Sequence, residues 1–154
     1  MQAAGQRGAP VSDNPGVGVV RGSQRPVQRR GAPWPPLQKL VNAETGATEL
    51  AVWINEVAAG EEVRRHRHDC EEVIYVAAGQ LVATLGAESV ELARGDALLV
   101  PTGAAHGFRN PGPGHTSVVA SLGRSDAQTF WLDEADRTGL HLDQGGRSLP
   151  EGGG

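Results

Sequence analysis

Three histidines and one glutamate offer the clearest chemistry in this sequence. His66 and His68 stand two residues apart, Glu72 follows them closely, and His106 comes from a later segment. Neutral imidazoles with a single carboxylate suit a divalent transition metal in a low-dielectric interior, because one anion limits the charge that must be buried. The pattern therefore predicts a site for one metal ion. The competing interpretation is an H-x-H pair that lies on a solvent-exposed face by chance.

The alternation of side chains along a β-strand places these residues on one face. Residues two apart share a face of a strand. His66, His68 and Glu72 are even-numbered, as are the aliphatic residues Ile74 and Val76. If strand pairing resumes in register after the short connection that follows His68, the ligands and the two aliphatic side chains point into the same interior.

The odd-numbered residues of the same segment are expected on the opposite face. Arg67, Glu71 and Val73 then point outward, with the two charged side chains in solvent. Glu71 is therefore disfavoured as a ligand relative to Glu72. Tyr75 follows the same alternation, and we expect it at a subunit interface rather than in the site.

The elements that would position these residues are short strands. Runs rich in β-branched and aliphatic residues are separated by turns that contain glycine. The runs cover residues 38–41, 49–57, 72–76, 81–85, 89–92, 97–100 and 115–122. Short strands recurring about every ten residues predict an all-β sandwich or a small barrel.

Two glycine-framed motifs surround the candidate ligands. The first, G-x5-H-x-H-x3-E-x6-G, is matched by Gly60, His66, His68, Glu72 and Gly79. The second, G-x5-P-x-G-x2-H-x3-N, is matched by Gly95, Pro101, Gly103, His106 and Asn110. In these residues the chain resembles the cupin superfamily, specifically its small single-domain metal-binding members. The resemblance covers roughly residues 38–122.

The resemblance implies an all-β fold, the double-stranded β-helix or jelly-roll barrel of cupins. It also implies one metal ion bound inside through His66, His68, Glu72 and His106. Cupins are spread over dioxygenases, isomerases, cyclases, decarboxylases, storage proteins and sugar-sensing regulators, so the fold alone does not select a reaction.

Several other residues have two interpretations each. Trp53 and Phe108 either wall an aromatic substrate pocket or belong to the core. Cys70 is either a fifth ligand or redox-sensitive thiol near the pocket, or a small buried hydrophobic residue, and we favour the latter. His115 and His141 have no partner at ligand spacing and are expected on the surface.

A run of arginines precedes and interrupts the histidine pair. Arg64, Arg65 and Arg67 either hold an anionic substrate at the mouth of the barrel or form solvated surface, and solvated surface is favoured.

Composition divides the chain into four parts. Residues 1–36 are predicted to be a disordered basic arm, in which Trp34 either docks on the domain or is exposed. Residues 37–124 are predicted to form the barrel. Residues 125–142 are predicted to be a short extension packing on the barrel, with a strand end followed by a helical turn. Residues 143–154 are predicted to be a flexible glycine-rich tail.

Charge and cysteine content exclude several classes of protein. The net charge is −4, but five arginines against one aspartate make residues 1–36 basic, so the rest of the chain is strongly acidic. An acidic domain repels phosphate backbones, which argues against nucleic-acid binding unless the basic arm acts alone, and a solvated arm is favoured. Cys70 is the single cysteine, so no internal disulfide forms. The sequence has neither a run of the ~18 apolar residues a membrane helix needs nor a secretory signal, so we expect a cytoplasmic protein without a membrane partner.

These observations lead to a metal-dependent enzyme that acts on a small organic molecule. Dioxygenase-type oxidation with Fe(II) is favoured because no separate inward-facing acid or base is evident beside the ligands. Redox-neutral cyclisation or isomerisation, as in polyketide cyclase-like cupins, is the close alternative, and nickel, manganese, zinc or cobalt are compatible metals. Whether Glu72 always binds the metal or acts as a base is left open.

Two non-enzymatic hypotheses compete with this one. The first is a ligand-binding or sensing module, which the flanks disfavour because neither is long or periodic enough for a DNA-binding helix-turn-helix. The second is a metal-free structural barrel, which is disfavoured because three imidazoles and a carboxylate in an apolar interior would be left unsatisfied. By analogy with cupins of this size we expect a homodimer.

Overall fold

The computed structural model describes residues 18–132 and, beyond them, two short strands within the C-terminal segment. The strands are β1 (Leu37–Val41), β2 (Ala51–Val57), β3 (Glu62–His68), β4 (Glu72–Ala78), β5 (Gln80–Leu85), β6 (Glu88–Ala93), β7 (Ala97–Val100), β8 (His106–Arg109), β9 (Thr116–Leu122), β10 (Thr129–Trp131), β11 (His141–Leu142) and β12 (Ser148–Leu149). Among the described residues, Gly22–Gln24 and Ala43–Thr45 form 3₁₀ helices. Within the described part of the chain, no helix has the length and apolar character needed to cross a membrane.

The strands form two five-stranded antiparallel sheets. The first sheet has the order β1-β2-β9-β4-β7 and the second the order β10-β3-β8-β5-β6, and β11 pairs separately with β12. From β2 to β10 the chain passes back and forth between the two sheets, which is the winding of a jelly roll or double-stranded β-helix. The predicted all-β fold class is confirmed. Among the described strands, however, pairing does not continue from one sheet into the other, so the two sheets form a sandwich rather than a closed barrel.

The core lies between the two sheets and follows the alternation of the strands. Along β2, β4 and β9 every second side chain is buried, so each strand turns one face to the interior. The larger apolar cluster consists of Val57, Ile74, Val76, Leu81, Ala83, Leu92, Val100, Phe108 and Val118. The smaller one consists of Ala51, Trp53, Cys70, Ala120, Leu122 and Ala127. The candidate ligands lie on the same inner faces as these residues.

A bulge in β3 sets the direction of the histidines. Val63 pairs with Phe108, whereas His66 pairs with His106, so β3 has one residue more than β8 between the two pairs. The extra residue reverses the alternation, and Val63 and His66 consequently both point inward. Gly107 lies opposite the bulge, where an added Cβ would be 2.8 Å from the carbonyl oxygen of Val63. Glycine at this position therefore lets the two backbones approach each other.

The outward-facing residues agree with the alternation except at one position. Glu71, Val73 and Tyr75 are exposed, as expected. Arg67 was expected in solvent, but only 4% of it is exposed, so that prediction is wrong. Strand β10 pairs with β3 and places Phe130 directly opposite Arg67. This extra pairing makes β3 an interior strand, whose outer side chains are less exposed than those of an edge strand.

The arm that was predicted to be disordered has defined contacts over residues 18–36. The backbone of Gln28 exchanges two hydrogen bonds with Leu37 at the start of β1. Arg25 donates from its guanidinium to the carbonyl oxygen of Lys39 at 3.1 Å. Strand edges offer unpaired backbone groups, so a proline-rich segment of low hydrophobicity still finds partners there. Residues 1–17 lie outside the described part.

The C-terminal segment contains strands β10, β11 and β12 where it is described. Strand β10 is the strand end expected within residues 125–142, and it pairs with β3. The helical turn expected after it falls on residues 133–140, outside the described residues. Within the tail predicted to be flexible, Ser148–Leu149 is instead paired with His141–Leu142.

Replacement of Gly107 tests the importance of the bulge. We expect Gly107→Ala to lower the free energy of unfolding by about 1–3 kcal/mol, because the new methyl group overlaps the backbone of β3. Chemical denaturation measures this loss. Gly114→Ala is the control, since an added Cβ at Gly114 meets no atom within 4 Å. Equal stability of the two variants would show that the strands can separate at the bulge without cost.

Candidate metal centre

The four candidate ligands converge from both sheets. His66 and His68 lie on β3 and His106 begins β8, all in the second sheet, whereas Glu72 begins β4 in the first sheet. Their ligand atoms lie within 4.8 Å of one another, and all four residues are buried. The four residues are therefore positioned to bind one metal ion.

Each histidine is oriented by a hydrogen bond from its Nδ1 to a backbone carbonyl. The acceptors are Arg64 for His66 at 2.7 Å, Gln128 for His68 at 2.9 Å, and Ala104 for His106 at 2.9 Å. A carbonyl oxygen only accepts, so Nδ1 carries the proton and the neutral ring presents the lone pair of Nε2 to the site. Imidazoles that bind metal ions in proteins are held in this way.

The carboxylate of Glu72 faces these nitrogens at short range. Its Oε2 lies 2.6 Å from Nε2 of His106 and 3.4 Å from Nε2 of His68. In the neutral tautomer His106 presents a lone pair, and two facing lone pairs repel at this distance. Oε2 of Glu72 and Nε2 of His106 are also buried without a hydrogen bond of good geometry in the described part of the structure. A cation shared by these atoms would remove the repulsion, and the donor set fits a divalent transition metal.

The electrostatics of the site favour the protonation states that bind metal. Burial, followed by repulsion from His106 and His68, lowers the pKa of His66 well below its usual value. Burial raises the pKa of Glu72, but hydrogen bonds and positive charge from His106 and His68, when those rings carry a proton on Nε2, outweigh it and hold that pKa below its usual range. At neutral pH His66 is therefore a neutral imidazole and Glu72 is a carboxylate.

A cavity of about 220 Å³ opens beside the ligands. His66, His68 and Glu72 border it directly. Its aromatic walls are Trp34, Trp53, Phe108 and Trp131, and its cationic residues are Arg30 and Lys39. A molecule in this cavity would contact the ligand side chains at one end and aromatic rings along its sides.

Only two of the three residues expected in the pocket lie there. Trp53 and Phe108 line the cavity and also belong to the apolar clusters, so both of their interpretations apply. Cys70 packs in the smaller cluster and is not among the described lining residues. Burial raises the pKa of its thiol, which keeps the sulfur protonated, and Cys70 accordingly has the properties of a small buried hydrophobic residue.

The arginines near the histidine pair do not line the cavity. Arg64 lies over the ring of Trp34 at 5.0 Å, and Arg65 donates to the carbonyl oxygen of Gly86 at 2.8 Å. Arg67 is buried in the second sheet. The cations that border the cavity are Arg30 and Lys39 instead, and neither was singled out from the sequence.

Two tryptophans were also missed as site residues. Trp34 comes from the arm and Trp131 from β10, and both lie outside the motifs that point to the metal ligands. Residue type alone could have pointed to them, because the whole chain has three tryptophans and all three border the cavity.

His115 is separate from the site. His115 is exposed, as expected, and its Nε2 lies 2.5 Å from a carboxylate oxygen of Glu56. Glu56 also accepts a hydrogen bond from Ser117 at 2.7 Å. The side chain of His141 lies outside the described residues.

Comparisons with known proteins agree with this arrangement. A family profile described as "Cupin domain" matches residues 53–121. Protein SchB of Streptomyces halstedii is 33% identical over 118 residues, which cover 73% of this chain and 84% of SchB. Among solved structures, the polyketide cyclase RemF of Streptomyces resistomycificus superposes with a TM-score of 0.60 at 23% identity, covering 75% of this chain and 86% of RemF. Oxalate decarboxylase of Lactobacillus farciminis superposes with a TM-score of 0.66 at 16% identity, covering 75% of this chain but only 36% of the decarboxylase.

Removal of one imidazole tests the site. We expect His106→Ala to weaken metal binding by more than about 100-fold, the upper end of what losing even an outer-shell partner costs. Elemental analysis of the purified protein and competition with a chelator measure the change. His115→Ala is the matched control, because His115 is an exposed histidine that pairs with Glu56 and is not one of the four candidate ligands. Wild-type stoichiometry and affinity in the His106 variant would contradict the four-ligand assignment.

Proposed function

This chain belongs to the cupin family, and from that premise we propose that it is a metal-dependent enzyme acting on a small, planar carbonyl compound. One observation carries the proposal: three of the four ligand residues, His66, His68 and Glu72, border a cavity with aromatic walls. A substrate in that cavity reaches the ligand cluster without any rearrangement of the fold. Concave sites with apolar walls and a few convergent polar groups are typical of small-molecule binding.

The ligand cluster would hold one divalent ion through the Nε2 atoms of His66, His68 and His106 and the carboxylate of Glu72. When bound, such an ion supplies Lewis-acid chemistry, and with iron also redox chemistry. The protein residues supply the rest. The carbonyl partners of the three histidines fix the rings, and Trp53 and Phe108 keep water away from the apolar end of the cavity.

The reaction we favour is redox-neutral ring closure. A carbon next to a carbonyl group loses a proton, its electron pair forms a carbon–carbon bond to a ketone carbon of the same molecule, and the ketone oxygen gains a proton. Loss of one water molecule then gives an aromatic ring, so neither an oxidant nor a reductant is consumed. The likeness to RemF, named as a polyketide cyclase, supports this choice, because the superposition extends over most of both chains.

Glu72 is the candidate for the proton transfer. Among the described residues that line the cavity it is the one carboxylate. A carboxylate next to the substrate can accept a proton from a carbon acid whose anion is stabilised in the site. Glu72 would then serve both as ligand and as base.

Dioxygenase-type oxidation is the second candidate, with dioxygen as the co-reactant and Fe(II) as the metal. The observation that favours it is the shortage of acid–base groups: apart from the ligand residues, the described lining residues that can carry charge are Arg30 and Lys39. Oxygen chemistry needs no such group, because the oxidant reacts with an electron-rich substrate.

The proposal predicts that a metal-loaded protein converts an aryl triketone without oxygen. We expect the zinc- or nickel-loaded wild type to close phenylhexanetrione to dihydroxybiphenyl anaerobically. We expect Glu72→Gln to lower the rate by about 100-fold or more, as loss of a positioned base does. Chromatography of the product measures the rate, and elemental analysis of the same variant separates the two roles of Glu72: a variant that retains metal but has lost turnover identifies the base.

Glu71→Gln is the matched control, because Glu71 is the exposed neighbour of Glu72 on the opposite face. Its rate should equal that of the wild type. Conversion that requires both iron and dioxygen would replace ring closure by the second candidate. Binding of the triketone without conversion under any metal or atmosphere would reject the enzyme and leave a ligand-binding module.

We also propose that the chain forms a homodimer through the outer face of the first sheet. Val73 and Leu99 are directly paired across β4 and β7, Tyr75 lies two residues from Val73, and all three are exposed. An apolar sheet face of this kind can pack on its own copy about a two-fold axis.

A charge on this face should dissociate the dimer. We expect Leu99→Glu to give a monomer in light scattering coupled to size-exclusion chromatography, because the introduced carboxylate would be buried against its symmetry mate. Val90→Glu is the control, since Val90 is an exposed valine of the second sheet. A wild type that is already monomeric would contradict the proposal.

A further inference from the structure

The arm residues 28–36, called the strap below, form one wall of the cavity. Gln28 pairs with Leu37 at one end, and the amide nitrogen of Asn55 donates to the carbonyl oxygen of Pro36 at 3.0 Å at the other. Between them, the backbone N–H of Glu62 donates to the carbonyl oxygen of Pro33 at 2.8 Å. The strap is thus attached to β1 and β2 of the first sheet and to β3 of the second, and it spans the opening between the sheets.

The strap carries an aromatic ring and a cation to this opening. Trp34 lies edge-on to Trp131, with 5.0 Å between ring centroids. The guanidinium carbon of Arg30 lies 5.0 Å from the ring of Trp34 and 5.4 Å from that of Trp131. Trp131 in turn lies 5.1 Å from the imidazole of His66. A continuous series of rings therefore leads from Arg30 at the strap to the ligand cluster.

The charge of the cavity is opposite to that of the chain. The chain has a net charge of −4, yet Arg30 and Lys39 both line the cavity, and Glu72 is the one carboxylate among its described lining residues. Lys39 lies on β1 with its Nζ 4.8 Å from the ring of Trp53, on a different wall from Arg30. Two cations in a concave, partly apolar site raise the local concentration of anions.

We propose that the strap is a specificity element that selects planar aromatic anions, with Arg30 and Lys39 binding a carboxylate or phenolate and Trp34 and Trp131 contacting the ring, one by its face and the other by its edge. The inference deepens the proposed function and rests on it for the identity of the site as a substrate site. Guanidinium groups bind carboxylates through two parallel N–H donors, and flat rings stack on indole. Arg30 needs no rearrangement of the strap to meet such an anion, because it already borders the cavity.

Binding of simple probes tests this inference without turnover. Isothermal titration calorimetry would compare naphthoate, which is planar and anionic, with the neutral naphthylmethanol and with the non-planar cyclohexanecarboxylate. Each titration would be run on the full chain with and without metal, since a carboxylate that binds only to the metal loses its affinity when the metal is removed. We expect naphthoate to bind most tightly in both forms.

Variants of the strap separate charge from stacking. Arg30→Gln should weaken naphthoate binding by about tenfold and leave naphthylmethanol unchanged, because it removes one charge-assisted contact. Trp34→Leu should weaken both naphthyl probes and affect cyclohexanecarboxylate less. Arg29→Gln is the matched control, because Arg29 and Arg30 are neighbours and both exposed, but Arg29 is not among the described lining residues. Lys39→Gln gives a second measure of the charge effect from β1, independent of the strap's own folding.

The outcomes distinguish this inference from the proposed function. If the protein binds naphthoate selectively through Arg30 but does not convert the triketone, the strap is supported and the enzyme is rejected. Equal affinities for naphthoate and naphthylmethanol in the wild type would overturn the strap even if ring closure is observed. The strap is also overturned if the Arg30→Gln and Lys39→Gln variants bind naphthoate as tightly as the Arg29→Gln control and the melting temperatures of all three variants are unchanged.

Discussion

The meeting of one carboxylate with three imidazole lone pairs inside the protein is the constraint on which this structure depends. The contact between Glu72 and His106 at 2.6 Å joins the first sheet to the second, so the ligand cluster also connects the two layers. Burying such groups is costly unless each polar atom has a partner. Backbone carbonyls satisfy Nδ1 of His66, His68 and His106, and the inward-facing atoms are positioned to bind a cation.

The strands meet this constraint through a local irregularity. A regular pairing of β3 with β8 would place Val63 and His66 on opposite faces, because they are three residues apart. The bulge turns both inward, so that one strand supplies a core side chain and then two ligands. Gly107 makes the bulge compatible with close pairing, since a larger residue would meet the backbone of Val63. The position of the imidazoles is therefore set by backbone geometry as much as by side-chain packing.

The sequence reveals the ligands and the fold class because both depend on short-range spacing. Alternation relates His66, His68 and Glu72 to the aliphatic residues of β4, and the glycine framework adds His106. The cavity walls depend on pairing between strands that are distant in the sequence. The spacing of residue types along the chain does not reveal that pairing. Trp131 reaches His66 because β10 pairs with β3, and Trp34 reaches Trp131 because the arm follows the sheet edge. The burial of Arg67 escaped prediction for the same reason, as did the ordering of residues 18–36.

The candidate metal ligands and the strap residues come from different parts of the fold. The ligand residues come from the interior of the fold, where a change of one side chain disturbs both sheets. Trp34 and Arg30 come from a segment attached by backbone hydrogen bonds that do not depend on the identity of its side chains. Side chains of the strap can therefore vary at little cost to the fold and without a change in the four candidate metal ligands. The cation Arg30, which lies against two indole rings beside the four candidate metal ligands, is supplied by the arm and not by the strands of the jelly roll.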